Sequence, residues 1–126
     1  MSRVLVIDDD PRVHAALRLR LGVEPDLQLV GDASTAAGGV ELVRSARPDV
    51  VILDVDLPDQ SGLDIISELH AAWSSARVVM LSVHDRPDLR ERARSQGAAA
   101  YVGKHQPVEV LLAAVRDRRY RASNPR

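Results

Sequence analysis

The run Val50-Val51-Ile52-Leu53-Asp54, followed by Val55-Asp56-Leu57-Pro58-Asp59-Gln60-Ser61-Gly62, decides how the rest of the chain is read. A short β-branched run closed by a Pro and Gly turn reads as a strand buried on both faces of a sheet. Asp54 then stands at the carboxyl end of a central parallel strand, the edge where open α/β sheets place their ligands. A lone Asp in that position is equally a turn-former or a helix cap, so other strand ends have to decide. Val4-Leu5-Val6-Ile7 runs into Asp8-Asp9-Asp10, Val78-Val79-Met80-Leu81 into Ser82, and Ala100-Tyr101-Val102-Gly103 into Lys104. An acidic pair, a further carboxylate, a hydroxyl and a lysine thus converge on one edge of one sheet.

Between these runs the pattern is helical. Asp10-Pro11 reads as a helix start, because Asp accepts free amide hydrogens at the cap and Pro suits the first helical position. That leaves Asp8 and Asp9 for chemistry. Val13, Leu17 and Leu21 recur at helical spacing until Gly22 and Pro25, and a second strand covers Leu27 to Val30, with Ala33 as its furthest end. Ser34 or Thr35 caps a helix through Ala36, Val40, Val43 and Ala46. Gly38-Gly39 inside it costs about 1 kcal/mol per glycine relative to alanine, so this helix is expected to be short or loose at its start. A helix from Ser61 or Gly62 to Trp73 aligns Ile66, Leu69 and Trp73, and a fourth strand runs from Arg77 to Leu81. The helix from Pro87 or Asp88 to Gln96 offers only Leu89 and Ala93 to a core and is expected to be the least anchored. The last helix begins at Pro107, where Val108, Leu111, Leu112 and Val115 form the stripe that packs on a sheet. Its basic end, Arg116 to Arg121, suits the negative pole of the helix macrodipole. Strand and helix alternating over short connections give a parallel sheet covered on both faces.

At these residues the chain resembles the receiver domain of two-component response regulators, over nearly its whole length. The resemblance rests on Asp8-Asp9 after the first strand, Asp54-x-x-x-Pro58-x-x-x-Gly62 after the third, Ser82 after the fourth and Tyr101-x-x-Lys104 at the fifth. Leu81-Ser82-Val83-His84-Asp85, with Gly97 to Lys104, is most similar to the subgroup that joins a receiver to a LuxR-type helix-turn-helix. The resemblance implies an α/β, flavodoxin-like, doubly wound sheet of five parallel strands in the order 2-1-3-4-5 with helices on both faces. Residues 1–119 would form the receiver domain and residues 120–126 a C-terminal tail or the start of a linker.

It also implies a phosphoacceptor switch in a phosphorelay, which takes part in its own phosphorylation but is not an enzyme. Asp54 would accept a phosphoryl group from a sensor histidine kinase or phosphotransfer protein, with Lys104 offsetting charge and Ser82 hydrogen-bonding the arrived group. Mg²⁺ is the implied cofactor, held by Asp9, Asp54 and the main-chain carbonyl of Asp56, with Asp8 acting through water. Electrostatics agree with the need for a cation: carboxylates about 5 Å apart repel by roughly 3 kcal/mol at an effective dielectric near 20. Hard oxygen donors suit Mg²⁺, which binds through one or two carboxylates plus phosphate oxygens. By resemblance, drawing Ser82 inward lets Tyr101 rotate from an exposed to a buried position, altering the face made by the last two helices and the fifth strand. The implied output is transcription through a DNA-binding domain elsewhere, with a homodimer on phosphorylation.

Two departures from the family pattern stand out. His105 follows Lys104 where receivers commonly carry proline, so the cis peptide usual there is not expected. Asp56 adds a carboxylate where many relatives are neutral. The histidines His14, His70, His84 and His105 share no metal-ligand spacing and are expected to be solvated, with His84 bordering the phosphorylation site by resemblance.

A chain of 126 residues, 45% hydrophobic and 28% charged, suits one soluble domain with a sizeable core. Its net charge of -1 advertises no nucleic-acid surface, so DNA contact would belong to another segment. Zero cysteines rule out disulfides, thiolate metal sites and cysteine nucleophiles. No signal-peptide core follows the amino terminus and no apolar run approaches membrane-spanning length, so the expected location is the cytoplasm, with no membrane partner. Three other readings compete. Asp54-Val55-Asp56 resembles the Asp-x-Asp of haloacid-dehalogenase-like phosphatases, but those place it on the first strand. A flavodoxin-like cofactor binder would need a first loop rich in Ser, Thr and Gly, where this chain has acids. A receiver that docks partners without being phosphorylated would not need Asp8, Asp9, Asp54, Ser82 and Lys104 together.

Overall fold

The structure, a computed structural model, describes residues 1–119; the expected tail at 120–126 lies outside the described residues. The elements alternate as β1 (Ser2–Ile7), α1 (Pro11–Gly22), β2 (Leu27–Ala33), α2 (Ala36–Ala46), β3 (Val50–Asp54), α3 (Gly62–Ala72), β4 (Arg77–Ser82), α4 (Pro87–Ser95), β5 (Ala100–Gly103) and α5 (Val108–Arg116). The strands form one parallel sheet in the order β2-β1-β3-β4-β5. This is the flavodoxin-like order that the resemblance implies, and the parallel sheet covered on both faces that the alternation of strand and helix leads one to expect.

Why the central strands read apolar throughout is visible in their two faces. Successive side chains of a strand point to opposite sides. Leu5, Ile7, Val51, Leu53, Val78 and Met80 share one core with Val43, Leu63, Ile66, Leu69 and Ala93 of α2, α3 and α4. Their neighbours Val4, Val6, Val50, Ile52, Val79 and Leu81 share the other with Leu17, Leu21, Leu111, Leu112 and Val115 of α1 and α5. Every residue of β3 is buried, so its terminal carboxylate is carried on a frame packed from both sides.

Helix ends follow local chemistry. Asp10 caps α1 by accepting from the Arg12 amide at 2.9 Å, with Pro11 in the first turn. Thr35 caps α2 by accepting from the Gly38 amide. The expected looseness at the start of α2 is not found. Asp59, from the loop after β3, accepts from the Ala36 amide at 2.8 Å and the Ala37 amide at 3.0 Å, so three of the helix's first amides have side-chain partners. Gly39 also has a packing purpose, because a Cβ there would lie 2.4 Å from Ile7 Cδ1. At the other end of the molecule buried Arg77 donates to the carbonyls of Val115, at 2.8 Å, and Asp117, tying β4 to the end of α5. Arg116 does more than complement a macrodipole: it pairs with Glu24 and Asp26 in the α1–β2 connection. As expected, α4 is weakly anchored, with Ala93 its one buried residue.

Alanine is the better helix former by about 1 kcal/mol, yet Gly39→Ala is expected to destabilise by about 1–3 kcal/mol through overpacking against Ile7. Denaturant unfolding checks this, with Ile7→Val in the same chain recovering part of the loss. An increase in stability on Gly39→Ala alone would contradict the contact.

Candidate functional site

Four strand ends build the site. Asp8 and Asp9 follow β1, Asp54 closes β3, Ser82 closes β4 and Lys104 follows β5. Parallel pairing sets their depth: the Lys104 amide donates to the Ser82 carbonyl at 2.7 Å and the Asp8 amide to the Ala33 carbonyl at 3.0 Å. Gly62 is required by close approach, since a Cβ there would fall 2.0 Å from the Asp54 carbonyl oxygen. That contact explains the glycine eight positions after the strand-terminal acid: α3 begins hard against the backbone that presents Asp54.

Carboxylate oxygens of Asp8, Asp9 and Asp54 lie within 4.8 Å of one another, the group that could hold a metal among the described residues. Asp8, Asp54 and Ser82 are buried, Asp9 is exposed and Lys104 is half-buried. Lys104 Nζ stands 3.0 Å from Asp8 Oδ2 and 3.4 Å from Asp54 Oδ2. Asp8 Oδ1 accepts from the Asp10 amide, whereas its buried Oδ2 has the Lys104 charge nearby but no well-directed hydrogen bond. One lysine among three acids leaves the site short of positive charge, and hard carboxylate oxygens grouped this closely fit Mg²⁺.

Burial, and next the Asp8 charge, push the Asp54 carboxyl up to about 6; Lys104 and the Asp56 amide pull against them. Burial works against the Lys104 charge, but its close approach to Asp8 and the charges of Asp54 and Asp8 together hold the ammonium above the ordinary lysine value. The lysine is therefore a fixed cation, while Asp54 is a carboxylate whose charge the protein itself disfavours.

The rim differs from the sequence expectation at two histidines. His14 is half-buried and donates through Nε2 to the Asp8 carbonyl, and half-buried His70 packs beside Gly97, its ring kept neutral to lower pH by burial. Neither is solvated as expected; both lie on helix faces that the topology turns inward. His84 and His105 are exposed. No cis peptide occurs among the described residues, as the absence of proline after Lys104 leads one to expect. The Asp56 side chain turns outward to accept from His84 Nε2 at 2.7 Å, away from the three clustered acids, so the phosphatase-like reading of Asp54 and Asp56 as a catalytic pair gains no support. His84 is also a junction: its amide donates to Ser82 Oγ at 3.0 Å, and its carbonyl accepts from the Tyr101 hydroxyl at 2.6 Å.

Comparison with known proteins agrees with this arrangement. The family model for the response regulator receiver domain matches residues 4–116. The chain is 33% identical over 114 residues to the nitrate/nitrite response regulator NarL of Escherichia coli, covering 90% of this chain and 53% of that protein. It thus spans about half the length of that curated relative. A LuxR-family two-component response regulator from Aurantimonas matches with a TM-score of 0.86 at 26% identity, over 91% of this chain and 82% of that one. A Burkholderia pseudomallei response regulator with a phosphorylated aspartic acid and a calcium ion matches with a TM-score of 0.82 at 25% identity, over 92% and 67% of the two chains.

The raised Asp54 value carries a sign. In metal-free protein the folded chain holds one more proton than the unfolded chain between about pH 4 and about pH 6, so stability is lost as pH rises through that window. The contribution is roughly 3 kcal/mol at most for a carboxyl moved that far. Unfolding with chelator present is expected to show this slope in the parent protein and to lose it in Asp54→Asn; equal slopes would contradict the burial of a titrating Asp54.

Proposed function

Because the chain belongs to the response regulator receiver family, and within it sides with the LuxR-type subgroup, we propose that it is a signalling switch phosphorylated on Asp54. Receiver domains of response regulators are signalling proteins, and they bind Mg²⁺ at an acidic pocket. The observation that carries the reading for this chain is the meeting of three carboxylates with Lys104 at the carboxyl edge of the sheet, around a buried Asp54.

In the proposed step an Asp54 oxygen attacks the phosphorus of a phosphohistidine on a sensor kinase or phosphotransfer protein. The phosphorus–nitrogen bond breaks, and its electron pair leaves with the imidazole. Burial that raises the Asp54 carboxyl also destabilises its bare charge, so the nucleophile gains when that charge passes to the phosphoryl oxygens. Lys104 holds its proton and sits 3.4 Å from Asp54 Oδ2, positioned to offset charge on the transferring group. Asp9, Asp54 and the Asp56 carbonyl would hold Mg²⁺, with Asp8 acting through water; the ion supplies a hard positive charge that the three acids lack. Ser82 would donate its hydroxyl hydrogen to the arrived phosphoryl group, and Tyr101 would respond through His84, which contacts both residues.

We assign residues 1–119 to the receiver and residues 120–126 to a tail or linker. The output proposed is transcription through a DNA-binding segment elsewhere, in the cytoplasm, with dimerisation on phosphorylation. Among the described residues no helix is long and apolar enough to cross a membrane. Incubation with acetyl phosphate and Mg²⁺ is expected to add one acid-stable, base-labile phosphate, lost in Asp54→Ala and with chelator. Undiminished labelling of Asp54→Ala would defeat the assignment, and no labelling of the parent protein by any donor would favour a receiver that only docks.

A further inference from the structure

Helix α4 is held to the fold by more than the sparse apolar packing of Leu89 and Ala93. Its arginines differ in what they reach. Arg86 pairs with Asp88 and Arg94 with Glu91, each within a few residues, and Arg92 crosses to Asp64 on α3. Arg90 reaches three places at once. Its Nε donates to Asp85 Oδ1 at 2.8 Å in the β4–α4 loop, its Nη1 donates to the Tyr101 carbonyl at 3.1 Å on β5, and its guanidinium carbon lies 5.0 Å from the centre of the Tyr101 ring. The ring is thus covered on its face by Arg90 and fixed at its hydroxyl by the His84 carbonyl at 2.6 Å.

From this geometry we infer that Arg90 is the positioning residue for Tyr101: it holds the ring in the orientation that reaches His84 and carries that orientation to α4. The inference rests on the reading of Ser82 and Tyr101 as the switch. The physical argument is one of anchoring. A guanidinium is a rigid planar fork, so fixing two of its edges on Asp85 and the Tyr101 backbone leaves its face parallel to a surface on which an aromatic ring can lie. Ala93 is the only buried residue of α4, so the helix has few other contacts to resist displacement, and segments with few buried contacts open most readily. Ser82, His84, Tyr101, Arg90 and α4 are then joined through consecutive contacts, with His84 bonded on both sides. A lysine at position 90 keeps the charge but cannot bridge the loop and the strand with one rigid group.

The test reads Tyr101 directly. In the full chain carrying ring- and β-carbon-labelled tyrosine, assigned with Tyr101→Phe, three-bond couplings give the χ1 rotamer of Tyr101 without any phosphoryl donor. The parent protein is expected to show one rotamer, Arg90→Ala and Arg90→Lys to show rotamer-averaged couplings, and Asp85→Ala, which removes the anchor but leaves the arginine, to show averaging as well. Arg92→Ala, an α4 arginine that does not touch Tyr101, is expected to keep the single rotamer, which separates this role from general loosening of the helix. A single unchanged rotamer in Arg90→Ala, or averaging in Arg92→Ala equal to that in Arg90→Ala, would overturn the inference. Acetyl phosphate labelling of Asp54 is followed in parallel: its loss in the parent protein would defeat the phosphoacceptor reading without touching the rotamer result, and wild-type labelling of Arg90→Ala with a fixed Tyr101 would defeat the Arg90 role alone.

Discussion

Repulsion among Asp8, Asp9 and Asp54 is the constraint from which the rest of the structure follows. Carboxylates less than about 5 Å apart cost roughly 3 kcal/mol per pair at an effective dielectric near 20, and the fold concentrates that cost at one edge of its sheet. It tolerates the cost because β3 and β1 are packed on both faces, so the buried Asp8 and Asp54 cannot swing away. Lys104 relieves part of it, at 3.0 Å from Asp8 and 3.4 Å from Asp54. Burial first, and then the Asp8 charge, hold the Asp54 carboxyl up at about 6. A site in this condition gains most from a hard cation, which would offset the charge of the three acids.

The same rigid frame connects the Asp54 end of the sheet to α4 through a chain of contacts. Lys104 is placed by the pairing of β5 with β4, and the Ser82 carbonyl accepts its amide. Ser82 Oγ and the Tyr101 hydroxyl meet at a single residue, His84, whose side chain also reaches Asp56. The well-packed β strands make the site, while the sparsely packed α4 is the element free to report on it. A switch needs both, because a shift at a rigid site has effect only where a neighbouring element has low local stability.

Fold and site were legible in the sequence to different depths. Continuous apolar runs such as Val50 to Leu53 reveal strands buried on both faces, and polar residues that end such runs must gather at one sheet edge whatever the details of packing. Asp8, Asp54, Ser82 and Lys104 follow from that logic alone. Long-range pairings were not legible, because no local period encodes them. Asp59 capping α2, Arg77 holding the end of α5, His14 bonded to the Asp8 carbonyl and Arg90 lying over Tyr101 all join residues that only the topology brings together. Gly39 illustrates the limit well: propensity treats it as a weakness in a helix, whereas in the fold it is the space that Ile7 fills.

On the proposed reading, a cation and a phosphoryl group would complete the acid cluster together. Equilibrium unfolding in Mg²⁺ alone, beryllofluoride alone, and both together measures this, since a ligand that binds only the folded state raises its stability. The gain with both is expected to exceed the sum of the separate gains and to disappear in Asp54→Ala. Stabilisation by beryllofluoride without Mg²⁺, or a joint gain that survives in Asp54→Ala, would contradict it.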